Sequence, residues 1–186
     1  MKTNTILIVI IFLALFAILF TLDKNDSNKV NEAIQLYDLD GKQIDFESYK
    51  GKYSVLAFTF ISCPSICPMT NNELVRLNER FGDQINLIAI NVDPVKDTPE
   101  KIKEYMNANN YNWDVLVGDM SNVGRFISDI LNYPDADNYV KGPAYHPPGL
   151  HLLDKDFKYI EDKNFFPITQ DVDDLMLEIN KLLELK

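Results

Sequence analysis

The stretch "YSVLAFTFISCPSICPMTNNELVRLNERFG", Tyr53 to Gly82, decides the fold. Tyr53 to Ile61 is a nearly unbroken run of aliphatic and aromatic residues, the composition of a strand buried on both faces. From Met69 the pattern changes: Leu74, Leu77 and Phe81 recur at helical spacing, and Gly82 stops the run. Between strand and helix lie Cys63 and Cys67, each followed by a proline, and the chain holds no other cysteine. A pair at this spacing admits three readings: a disulfide, a redox couple, or two donors of a metal site.

The position of the pair favours chemistry. Cys63 falls at the C-terminal end of a buried strand and Cys67 close to the start of a helix, and in α/β sheets that edge is where ligands bind. Amide groups at a helix N-terminus favour a thiolate and lower a cysteine pKa below its usual value of about 8.5. Residues four apart in a turn have α-carbons about 6 Å apart, a span that a disulfide can bridge. The plain alternative is an inert or permanently stapled pair, but a staple closing so short a loop constrains the unfolded chain little.

Outward from this stretch, the chain alternates strands and helices. Ile85 to Val92 reads as a second strand, and a helix follows with Asp97 or Thr98 as cap and Pro99 in its first turn. Trp113 to Gly118 is a third strand. Val123, Phe126, Ile127, Ile130 and Leu131 then make one helical face. "LHLLDKDFKYIED" reads as a hairpin turning at Lys155-Asp156, and Val172 to Leu183 as a final helix. Upstream, "IQLYDLDGKQIDFESYKGKY" alternates around Asp40-Gly41, the signal of another hairpin. The order implies an α/β fold with a mixed central sheet flanked by helices. One connection, Asn132 to Gly149, is unusually long and rich in Pro, Asp and Asn; loops of that length inside domains are often functional. It contains His146.

The N-terminus is of a different kind. Thr3 to Leu22 carries no charge, and Ile6 to Phe20 is unbroken apolar. Twenty helical residues cover roughly 30 Å, the hydrocarbon thickness of a bilayer. A signal peptide would have a shorter apolar region of about 7–15 residues and a small-x-small site, and "FTLDKNDSN" offers none. The expectation is one uncleaved transmembrane helix over residues 1–22, a polar tether over 23–33, and one domain over 34–186. Lys2 precedes the span while Asp23, Lys24 and Asp26 follow it. The positive-inside rule then places the domain on the periplasmic or extracellular side. Setting Lys2 aside leaves 17 of the 18 Lys and Arg against 28 Asp and Glu, a formal −11 beyond the span. That acidity speaks against a nucleic-acid partner, which takes basic patches.

At this point the sequence resembles the Sco/SenC family of copper chaperones. "FISCPSICP" is similar to their two-cysteine stretch. "NVDPVKDTPEKIKEYM" resembles their VDPxxDTP segment at Val92, Asp93, Pro94, Asp97, Thr98, Pro99 and Tyr105. "HPPGLHLLD" resembles the segment carrying their metal-binding histidine, here His146. The resemblance implies a thioredoxin-like fold and one copper ion held by Cys63, Cys67 and His146, as Cu(I) or Cu(II). It also implies a role in assembling the binuclear copper site of cytochrome c oxidase, by delivering copper or reducing cysteines there. The implied partners are that oxidase subunit, the membrane, and an upstream copper donor or thiol reductant. Three positions depart from the family pattern: Ser65 and Tyr145 stand where aspartates are common, and Pro147-Pro148 follow the histidine.

The donor set agrees with copper. Two thiolates and an imidazole suit soft Cu(I), and Cu(II) with a further donor. A structural zinc site takes four protein ligands. His151 falls opposite Leu150 and Leu152 on a strand and reads as an ordinary strand histidine. Asp93 and Asp97 read as structural, at a strand end and a helix cap. The competing function is a membrane-anchored thiol-disulfide oxidoreductase of thioredoxin type, with Cys63 and Cys67 as its catalytic pair. Its mark would be two residues between the cysteines rather than three. A thiol peroxidase fits less well.

Overall fold

The apolar run after Tyr53 forms β1 (Ser54–Thr59), every residue of which is buried except Thr59. A strand covered on both faces must be central, and β1 is the middle of five. The computed structural model describes residues 34–132, 146–165 and 169–184. On one side of β1 lies β2 (Asn86–Asn91), parallel to it, with Ser54 opposite Asn86 and Thr59 opposite Asn91. β3 (Asp114–Leu116) continues the parallel half. On the other side β4 (Leu150–Leu153) runs antiparallel to β1, with His151 opposite Leu56. β5 (Tyr159–Phe165) closes the sheet antiparallel to β4, giving the order β3-β2-β1-β4-β5.

The strand alternation sorts the core into two layers. Val55, Ala57, Leu87, Leu150 and Leu152 face Leu74, Leu77 and Phe81 of α1 (Ile66–Phe81). The same layer takes Val172, Leu175 and Ile179 of α4 (Thr169–Glu184). Ala89 and Val115 extend it against Ile102 of α2 (Pro99–Ala108). Leu56, Phe58, Ile88 and Ile90 point the other way, onto Val123, Phe126, Ile127 and Leu131 of α3 (Met120–Leu131). Each large aliphatic side chain buried in these layers is worth about 1.5–3 kcal/mol.

Capping fixes where the helices begin. Asp119 caps α3, its carboxylate accepting from the Asn122 amide at 2.8 Å, and Asn132 ends that helix in the left-handed conformation at φ 50°. Thr98, not Asp97, caps α2, its hydroxyl accepting from the Lys101 amide at 3.4 Å. Pro99 follows at the first helical position, where its missing N–H costs nothing.

Two expectations are corrected. The hairpin around Asp40-Gly41 is reduced to a single bridge between Tyr37 and Gln43. The Asp38 carboxylate holds the turn by accepting from the amides of Asp40 and Lys42, both at 2.9 Å, and Gly41 supplies φ 82°. Beyond it, Asp45 captures the Glu47 amide at 3.0 Å and winds Phe46–Tyr49 into a 3-10 turn, so no returning strand forms. Tyr37 bonds to Val117 instead, in both directions at 2.8 Å. The second correction concerns α1, which begins at Ile66 rather than Met69 and so takes Cys67 and Pro68 into its first turn. Proline is tolerated there because first-turn amides have no intrahelical acceptor.

The hairpin turning at Lys155-Asp156 forms as expected, with the Asp154 carboxylate accepting from the amides of Asp156 and Lys158 at 2.9 Å. The membrane anchor and tether expected over residues 1–33 lie outside the described residues, as does the long loop before His146. Among the described residues, no helix is long and apolar enough to cross a membrane.

Candidate functional site

Where β1 ends, the chain turns at Ile61 to Ser65 and enters α1. Cys63 sits on the turn and Cys67 in the first helical turn. Both are free thiols and both are buried, Cys63 at 9% exposure and Cys67 at 2%. The Cys67 amide points at the Cys63 sulfur from 3.3 Å. The turn is closed from behind by the Cys63 amide, which donates to the Phe60 carbonyl at 3.3 Å.

The two thiols are electrostatically unlike. Burial pushes Cys63 up, but the Cys67 thiol and the amides of Ser65, Cys67 and Ile66 together outweigh it and bring Cys63 below its ordinary value. These are amide donors of a helix start, which have no carbonyl to serve inside the helix. Cys67 is pushed up to about 12, first by its own burial and then by its hydrogen bond to Cys63, with the charges of Cys63 and Asp97 adding to the rise and the Phe60 amide opposing it. One thiol is therefore primed and the other held back.

His146 lies at the mouth of β4. Its Nδ1 donates to the Pro147 carbonyl at 3.1 Å, and its ring stands 6.2 Å from the rings of both Phe58 and Phe60. Burial lowers its pKa, with the Pro147 carbonyl acting against that, so the imidazole is neutral at pH 7 and able to donate a lone pair. The structure brings Cys63 and Cys67 together and leaves His146 apart from them. Among the described residues, no three His, Cys, Asp or Glu side chains converge as one ion requires. Phe60 touches both groups: its ring lies edge-on to His146 at 6.2 Å, and its carbonyl accepts from the Cys63 amide. His151 is fully buried on β4, edge-on to Phe58 and Tyr159 at 5.8 and 5.9 Å, as a strand histidine should be.

Two neighbours of the cysteine turn do not stand out in the sequence. Phe60 reads as one more strand residue, and the apolar run gives no sign that its ring packs against the histidine. Asp97 is structural, as the sequence implies, but not as a helix cap: Thr98 does the capping and Asp97 turns inward at 4% exposure. Its carboxylate accepts from the Ile61 amide and from the Asn91 side chain, each at 2.8 Å. The available signal was the pair Asp-Thr before a proline: two capping residues for one cap leave one to spare.

A parallel βαβ core, an antiparallel hairpin beside it and a dithiol where the first strand meets its helix define a thioredoxin-like dithiol domain. The model of the SCO1/SenC family matches residues 22–184, and the chain belongs to that family. It is 32% identical over 151 residues to a SCO2-like protein of Rickettsia typhi, across 76% of this chain and 72% of that one. The solved structure of BsSco, a Sco family cytochrome c oxidase assembly protein described for its disulfide switch, superposes with a TM-score of 0.60 at 25% identity, covering 82% of this chain and 92% of that one. Copper-bound ScoI of Bradyrhizobium japonicum shares the fold, with a TM-score of 0.56 at 24% identity over 77% of this chain and 95% of that one.

Proposed function

We propose that this chain is a membrane-anchored copper-binding assembly factor for the binuclear copper site of cytochrome c oxidase, with copper as its cargo. The observation that carries the reading is the buried pair Cys63 and Cys67 at a helix start, with the Cys67 amide 3.3 Å from the Cys63 sulfur and a neutral His146 on the adjoining strand mouth. Two thiolates and an imidazole are the donor set for a soft monovalent ion, and deprotonation of Cys67 would accompany its binding. Completing the set requires His146 to approach the two cysteines. Family membership, the copper-bound ScoI of the same fold and the assembly role stated for BsSco support the reading.

The unlike thiols favour a second activity at the same site, reduction of a disulfide in the target. Cys63 thiolate attacks one target sulfur, forming a mixed disulfide and releasing one target thiol. Cys67 then attacks the Cys63 sulfur, closing the Cys63–Cys67 disulfide and releasing the second thiol. Two electrons and two protons pass to the target. Residues 1–22 would hold the domain at the membrane, facing the periplasmic or extracellular side. An N-terminal sequence of the mature protein beginning after Leu22 would contradict the anchor.

The test of function is transfer. Copper-loaded protein is mixed with the soluble copper-site domain of the oxidase subunit in its dithiol and disulfide forms. Copper passing to the dithiol form supports delivery, and thiols appearing in the disulfide form support reduction. Neither event would contradict both.

A further inference from the structure

We propose that Asp97 is a positioning residue for the dithiol, acting through the two hydrogen bonds it accepts and through a buried negative charge that no cation among the described residues pairs with. The β1–β2 ladder ends where the Val92 amide reaches the Thr59 carbonyl at 3.1 Å. Past that rung β2 turns away: the amides of Lys96 and Asp97 both return to the Asp93 carbonyl, at 3.1 and 2.9 Å. β1 ends at the same rung, and the amide of Ile61 in the turn that follows has no strand partner and must find an acceptor. Asp97 supplies it at 2.8 Å. The same oxygen takes the Asn91 side-chain amide at 2.8 Å, and Asn91 in turn accepts from the Asp93 amide at 3.1 Å. Ile61 lies two residues before Cys63, so the carboxylate fixes where the cysteine turn leaves the sheet.

The charge is a separate matter from the hydrogen bonds. A neutral asparagine could present an acceptor oxygen to the same two donors. The chain instead buries a carboxylate, and among the described residues no lysine, arginine or histidine pairs with it. Lys96 reaches Asp93 at 3.6 Å and the Lys101 ammonium donates to the Lys96 carbonyl at 2.9 Å, so neither serves Asp97. A fixed anion beside a metal-binding pair favours the more highly charged ion, here Cu(II) over Cu(I). This second effect rests on the copper reading; the first does not.

Two substitutions separate the effects. Asp97→Asn keeps the acceptor and removes the charge, and Asp97→Ala removes both. The first readout is copper-free: the equilibrium of the Cys63–Cys67 disulfide with glutathione. Loosening the turn lowers the effective concentration of one thiol at the other. Asp97→Ala should therefore lower the disulfide equilibrium constant by about tenfold or more, and Asp97→Asn should stay within about threefold of the native protein. The second readout is the ratio of Cu(I) to Cu(II) affinity by chelator competition, which should rise about tenfold in Asp97→Asn. A role confined to general stability would move both ions together and leave the ratio alone. A native disulfide constant in Asp97→Ala, or a loss in Asp97→Asn equal to that in Asp97→Ala, would overturn the positioning role, and an unchanged ratio in Asp97→Asn would overturn the role of the charge. If Asp97→Ala does not fold, Asp97→Asn decides: a native disulfide constant with a raised ratio supports the proposal, and a lowered constant contradicts it. Native protein that binds no copper would sink the proposed function, while the glutathione equilibrium would still decide the hydrogen-bond role.

Discussion

The main-chain amide of Cys67 points at the sulfur of Cys63 from 3.3 Å, and this contact makes two cysteines of one short turn chemically different. Cys63 gains the helix-start amides and is the more exposed of the two, while Cys67 is buried at 2% exposure with its pKa raised to about 12. At pH 7 a small alkylating agent should label Cys63 first. Peptide mapping of protein given less than one equivalent of iodoacetamide should find more than about ten labels on Cys63 for each on Cys67, because the thiolate is the nucleophile. Equal labelling would contradict the asymmetry.

His151 gives the fold a pH dependence of known sign. Burial lowers its pKa from 6.5 to about 4, with the Pro147 carbonyl opposing and the neighbouring His146 adding a little. Between those values the unfolded chain binds a proton that the folded chain refuses, so stability rises with pH across the window. The contribution is complete above about pH 6.5 and is lost progressively as pH falls toward about 4, amounting to something on the order of 3 kcal/mol. Urea unfolding at pH 4.5 and 7.5 should show a smaller difference in His151→Leu than in the native protein. An unchanged difference would contradict the assignment.

Gly118 marks a close approach rather than a special backbone angle. A β-carbon there would lie 2.6 Å from Leu36 Cδ2 and 3.1 Å from the Gln35 carbonyl oxygen. Leu36 is fully buried, so its tip has nowhere to retreat. Gly118→Ala should destabilise the domain by about 1–3 kcal/mol, read as a lowered urea midpoint, because overpacking forces the neighbouring bridge apart. A native midpoint would show that the segment yields freely.

The parts of the fold that were legible in the sequence are those with strong periodicity. β1, β2 and the helical faces of α1, α3 and α4 announce themselves through apolar spacing, and the Lys155-Asp156 turn through its residues. The Asp40-Gly41 hairpin misled because alternation there reflects one bridge and a 3-10 turn, and a local side chain, Asp45, outcompeted strand pairing. Cys63 and Cys67 were legible as a candidate site because their spacing and place at a strand-helix junction are both local. The ring contact of Phe60 and the hydrogen bonds of Asp97 were not, since both depend on tertiary packing. The antiparallel docking of β4 on β1, which brings His146 to the same end of the sheet, is non-local for the same reason.

The central claim is that Cys63, Cys67 and His146 hold copper, and chelator competition on protein beginning near Lys29 tests it most directly. Reduced protein should retain one Cu(I) per chain and the disulfide form none, because oxidation removes both thiolates. His146→Ala should weaken Cu(II) more than Cu(I), since the divalent ion depends more on the nitrogen donor, and His151→Ala should leave both close to native. Equal copper retention by reduced and oxidised protein would contradict the claim for the cysteines, and native copper binding in His146→Ala would contradict it for the histidine.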